Sequence, residues 1–123
     1  WKYHRAVAET ALQSSRKKVV GYFVFTSDMT GYPERYAMEY AARSMGKEAR
    51  YNEKKENTYL ILFPTKDTRL NALWWRENMV HIMRKPDLTL TFAHGLKVYG
   101  YYLSPEEQSQ AADSSLTNNL LFR

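Results

Sequence analysis

Two short loops hold the residues best suited to chemistry on a polyanion. Ser14-Ser15-Arg16-Lys17-Lys18 sets two hydroxyls before three consecutive cations. Thr65-Lys66-Asp67-Thr68-Arg69, followed by Asn71, repeats the combination. Lysine and arginine gain affinity for duplex nucleic acid by releasing condensed counterions, and Ser, Thr and Asn add short hydrogen bonds to phosphate oxygens. A planar guanidinium can also pair with N7 and O6 of guanine in the major groove. Arg16 and Arg69 are therefore the candidates for base contacts, Lys17, Lys18 and Lys66 for phosphates, and Ser15, Thr68 and Asn71 for supporting hydrogen bonds. Taken singly, each loop is an ordinary solvated stretch, and Thr68 equally suits a helix N-cap. Their weight depends on whether the fold brings them together.

The elements that must position these loops follow from hydrophobic periodicity. Tyr3–Gln13 reads as a leading helix with Val7, Ala8, Ala11 and Leu12 on one stripe. Val19–Thr26 is apolar on both alternating sets, as a central strand is. A helix is predicted from Pro33 to Met45, with Tyr36, Ala37, Tyr40, Ala41 and Met45 at core spacing and Gly46 closing it. Strands follow over Glu48–Glu53 and Asn57–Pro64, joined by a polar hairpin tip at Glu53–Asn57. A second helix spans Leu70–Lys85. The alternating run Leu88–Leu103 ends the sheet, with a bend at His94-Gly95, and Ser104-Pro105-Glu106-Glu107 has the pattern of a capped helix start. The order βαββαβ predicts an α+β fold, a split βαβ antiparallel sheet with two helices on one face. In that sheet the start of the first strand and the end of the third share an edge, so Lys17 and Lys66 are expected on one surface.

Composition sets the outer limits. At 123 residues the chain is expected to be one domain, with its core over about 6–107 and a loose tail over 108–123. It opens on Trp1 with neither a Met nor a signal-peptide pattern, as expected of a segment of a larger protein. Without cysteine it can form no disulfide and no thiolate zinc site. The net charge of +5 and pI near 9.4 favour polyanionic partners. Residues 1–18 hold Lys2, Arg5, Arg16, Lys17 and Lys18 against Glu9 alone, so the positive charge concentrates where the chain enters the sheet.

Two other chemistries compete. A replication nickase needs two histidines one residue apart on a central strand, plus a tyrosine nucleophile. His4, His81 and His94 lack that spacing, and Tyr36 and Tyr40 lack a nearby base, so no catalytic residue, metal or cofactor is expected. Single-stranded RNA binding stacks bases on exposed aromatics of central strands, for which Tyr22, Phe23, Phe25, Tyr59 and Phe63 are candidates. Exposure separates the cases: open-faced aromatics favour RNA, and buried ones favour recognition of duplex DNA by loops. Tyr99, Tyr101 and Tyr102 are candidates for a self-association surface.

Over roughly Ala6 to Glu107 the chain resembles the origin-binding domain of polyomavirus large T antigens. Ser14-Ser15-Arg16-Lys17 is similar to the family's Ser-Asn-Arg-Thr loop, and Phe25-Thr26-Ser27 to its Tyr-Thr-Thr strand end. Ala49-Arg50-Tyr51 is similar to Ser-Arg-His, and Leu60-Ile61-Leu62-Phe63-Pro64 to Leu-Phe-Phe-Leu-Thr-Pro. Arg69-Leu70-Asn71-Ala72-Leu73 resembles Arg-Val-Ser-Ala-Ile, and Leu90–Leu96 resembles the last strand. The resemblance implies a non-catalytic module of a viral replication initiator, acting in the host nucleus. It would read short GC-rich repeats of double-stranded origin DNA through Ser15, Arg16 and Lys17 and through Lys66, Thr68, Arg69 and Asn71. It implies weak self-association here, and hexamers only in the full-length protein. Lys66-Asp67-Thr68 replaces the family's His-Arg-His, which implies a different base preference.

Overall fold

A strand that is apolar on both faces must be covered on both, and two strands here meet that description. The computed structural model describes residues 2–15, 17–25, 32–64, 72–92 and 95–110. In it β1 (Val19–Phe25) and β3 (Asn57–Leu62) lie side by side at the centre of a five-stranded sheet, with every residue after Val19 buried. The sheet order is β2-β1-β3-β5-β4, with β2 (Glu48–Tyr51) and β4 (Leu88–Thr91) at the edges and β5 (Lys97–Tyr102) beside β3. The fold is α+β, with four α-helices and an open mixed sheet among the described residues.

The expected antiparallel sheet is corrected: β1 pairs parallel with both β2 and β3, and only β5 runs antiparallel to its neighbours β3 and β4. Helices cover both faces rather than one. Val20, Tyr22, Val24, Tyr59 and Ile61 pack under α1 (Lys2–Gln13) and α2 (Tyr32–Ser44). Phe23, Phe25, Leu60 and Leu62 pack on the other face against Trp75, Met79 and Val80 of α3 (Ala72–Trp75) and the π-helical turn that continues it (Arg76–Val80).

The topology turns on Gly21. The stretch between β2 and β3 is not a hairpin tip, because β1 lies between those two strands. Asn52 still donates to the Tyr22 carbonyl at 2.8 Å and then takes a left-handed conformation at φ 59°. The chain next crosses β1 to reach β3, bridging two strand spacings, about 10 Å. It passes so close that a Cβ on Gly21 would sit 1.9 Å from the Glu53 carbonyl oxygen. Gly21 shares its face with Phe23 and Phe25, so the crossing covers the part of that face that α3 leaves open. Lys54 then donates to the carbonyls of His81 and Gln110, tying the crossing to the end of the π turn and to the residue after α4 (Pro105–Ser109).

Three further expectations change. On α2 the buried stripe is Ala37, Met38, Ala41 and Ala42, with Tyr36 62% exposed. The small side chains let α2 pack on Val7, Ala8, Ala11 and Leu12 of α1, and the tyrosines turn outward. The second helix ends at Val80, where His81 adopts a left-handed cap at φ 63°. Trp75, Met79, Val80 and Ile82 are buried, and Leu73, Trp74 and Met83 are exposed. Tyr101 is fully buried in the second core, so the three C-terminal tyrosines do not form one exposed surface. Other features match. Gly46 closes α2 at φ 69°, with Lys47 N–H bonded to Ala42 and Gly46 N–H to Arg43, a Schellman ending. Ser104 and Glu107 form a reciprocal capping box.

Candidate nucleic-acid interface

The loop entering β1 is anchored from three sides. At its base Ser14 Oγ donates to the Ala11 carbonyl at 2.6 Å and lies 2.8 Å from the Tyr59 hydroxyl. The Tyr59 hydroxyl also lies 3.1 Å from Asn57 Oδ1, sharing its one proton between Ser14 and Asn57, and Asn57 Nδ2 donates to the Tyr101 carbonyl at 3.2 Å. Burial pushes the Tyr59 phenol above its ordinary pKa, so it stays a neutral donor. Lys47, just past the end of α2, donates to the carbonyls of Leu12 and Ser15 at 2.7 and 2.6 Å. An ammonium at the last turn of α1 satisfies orphan carbonyls and complements the helix dipole. From the third side, the Tyr102 hydroxyl reaches the Ser14 carbonyl at 3.4 Å.

Onto this base the loop places its cations. Ser15 is 6% exposed, and its Oγ accepts the Lys17 N–H at 3.1 Å, so the hydroxyl shapes the turn rather than facing outward. Lys17 pairs with Glu56 at 2.6 Å in a half-exposed ion pair, which a phosphate can displace at little cost. Lys18 is exposed, and its ammonium has no partner among the described residues. The Glu48 N–H bonds the Lys18 carbonyl, joining the loop to β2. Beside that junction lies an open cleft of about 280 Å³ lined by Glu39, Ala42, Arg43, Lys47, Glu48 and Ala49.

The two strand ends that were expected to share an edge lie apart. Because β1 and β3 are parallel, the entrance to β1 and the exit from β3 lie at opposite ends of the sheet. The seven residues of β1 span about 20 Å. Arg16, Lys66, Thr68, Arg69 and Asn71 lie outside the described residues, as does His94. The flanks of the second loop are placed: it leaves from Pro64, and Ala72 lines a cavity with Leu60 and Leu62. Sequence reasoning missed the residues that hold the first loop: Lys47, Asn57, Tyr59 and Tyr102. Only Lys47, directly after a helix-closing glycine, stood in a recognisable pattern.

Over the central strands β1 and β3 both sheet faces are closed. Tyr22, Phe23, Phe25 and Tyr59 are at most 3% exposed, and Phe63 is half-buried. Open-faced base stacking therefore has no platform on these aromatics. His4 lies 5.9 Å from the Phe63 ring, and His81 forms the cap of the π turn. Comparison with protein-family models, curated proteins and solved structures returned no match.

Proposed function

We propose that this chain binds duplex nucleic acid through the loop at the entrance of β1, with Arg16 and Lys18 leading the contact and Lys17 released from Glu56 to join them. The observation that carries the reading is the anchoring of Ser14 and Ser15 by Tyr59, Lys47 and Tyr102, which presents consecutive cations from a rigid base. A preorganised loop loses little entropy on binding. The burial of the strand aromatics supports loop recognition over single-strand stacking, and the charge of +5 supports a polyanionic partner. The finer reading, double-stranded viral origin DNA bound by a replication initiator in the host nucleus, is supported by the resemblance of the loop and strand motifs.

Two kinds of variant test the reading. Arg16→Ala is expected to cost about 1–3 kcal/mol on the preferred duplex and to relax preference at one position. Lys18→Ala weakens all duplexes alike and flattens the salt dependence. Tyr59→Phe changes no charge but cuts the Ser14 anchor. It should lower stability by about 1 kcal/mol and also weaken binding. Duplex titrations at two salt concentrations read all three. Equal losses from Arg16→Ala on preferred and random duplexes would remove its base-reading role.

A further inference from the structure

On the face opposite α1 and α2 lies a cavity of about 110 Å³ lined by Leu60, Leu62, Ala72, Leu73, Arg76 and Tyr99. Among the described residues its walls are aliphatic and aromatic except for one cation, Arg76, the first residue of the π turn. The Arg76 side chain is only 12% exposed, and its Nε–H is buried with no hydrogen-bond partner among the described residues. A buried donor left unpaired costs the full desolvation of that group. Among the described residues the carboxylate beside it is Glu77, an ion pair at 3.6 Å from Nη2 without a hydrogen bond, and the guanidinium also interacts with the Tyr101 hydroxyl. The scaffold around the arginine is fixed, because its carbonyl accepts from both His81 N–H and Ile82 N–H, and the adjacent Trp75 ring packs on Phe25 at 5.3 Å. A second cation belongs to the same sheet face: exposed Lys97 lies directly opposite Leu62 in the antiparallel register.

We propose that this cavity is a binding site for a carboxylate carrying a small aliphatic body. The unpaired Nε–H and a neighbouring Nη–H offer the planar fork that a carboxylate accepts side by side. The apolar walls suit a few methyl and methylene groups and disfavour a doubly charged phosphate. The volume is below the roughly 150 Å³ that holds a benzene ring, so the body is about three carbons. This chemistry has two sources, a free short-chain acid or the C-terminal carboxylate of a chain ending in valine. The site lies apart from the β1 entrance and is independent of the nucleic-acid reading.

The test is an amide NMR titration of the intact protein with isobutyrate, its neutral analogue isobutyramide, inorganic phosphate, and a short peptide ending in Gly-Val as the free acid or the C-terminal amide. Isobutyrate should produce saturable millimolar shifts centred on Leu60, Leu62, Leu73 and Tyr99, with isobutyramide giving none. Tighter binding of the peptide acid, with none by its amide, identifies a chain terminus as the source; isobutyrate binding at least as tightly identifies the free acid. Arg76→Gln should weaken binding at least about tenfold, and Arg76→Lys, which keeps charge but lacks the fork, should not restore it fully. The wild-type ligand series decides the matter even if both variants fail to fold. Absence of saturable shifts, equal shifts from isobutyramide or phosphate, or shifts centred on the β1 loop would each overturn the proposal.

Discussion

Two glycines separate two physical reasons for having no side chain. Gly46 sits at φ 69° with nothing within 4 Å of where a Cβ would stand, so an alanine there meets only backbone strain. Gly46→Ala is expected to lower stability by about 1 kcal/mol, the usual penalty for a left-handed non-glycine residue. Gly21 has the opposite problem: its missing Cβ position lies 1.9 Å from the Glu53 carbonyl oxygen and 3.1 Å from the Lys55 nitrogen, both main chain. Gly21→Ala must lift the whole crossing away from β1 and should cost about 3 kcal/mol or more, at the upper end of overpacking. Urea denaturation of the two variants checks the pair. If Gly21→Ala proves no worse than Gly46→Ala, the crossing does not lie against β1.

At the scale of elements, the crossing also gives stability a pH signature. Lys54 is pulled down to a pKa of about 8, chiefly because burial disfavours its charged form, with Glu107 opposing. Between that value and the ordinary lysine range the unfolded chain binds more protons than the folded one. Stability from this group therefore rises with pH above about 8. Burial raises the phenols of Tyr22, Tyr59 and Tyr101, so stability falls once pH passes their ordinary value of 10. A maximum between those limits is expected in denaturation midpoints, and Lys54→Met should remove the rising limb while leaving the fall. Much of this arrangement was legible in the sequence. The apolar runs of β1 and β3, the glycine end of α2, the edge alternation of β4 and the Ser104 cap all lay in local patterns. Strand direction did not. Glu53–Asn57 has the composition of a hairpin tip, and only Gly21, alone among large residues in β1, signalled that another main chain passes over it. The outward tyrosines of α2 were missed for a related reason, since helical spacing marks two stripes there and close packing on α1 favours the alanine one.

For the whole molecule, parallel pairing of β1 and β3 puts the entrance of β1 and the exit of β3 at opposite ends of the sheet, where a shared edge was expected. Arg16→Ala and Arg69→Ala should therefore be additive on duplex affinity within about 0.5 kcal/mol, as for sites without shared partners. Strong coupling in a double-mutant cycle would mean the loops touch a common patch. The candidate site was only half legible in the sequence. Charge and hydroxyl content located the β1 loop, but the anchors that organise it come from β3, β5 and the end of α2, which no local pattern connects. The most direct measurement is fluorescence anisotropy of the protein with labelled GC-rich repeat duplex, random duplex and single-stranded RNA at two salt concentrations. The account predicts tighter binding to duplex than to single strands, weakening steeply with salt, with the repeat duplex preferred if the origin reading holds. Equal or preferential binding to the single strand, or no salt-dependent binding to any of the three, would contradict it.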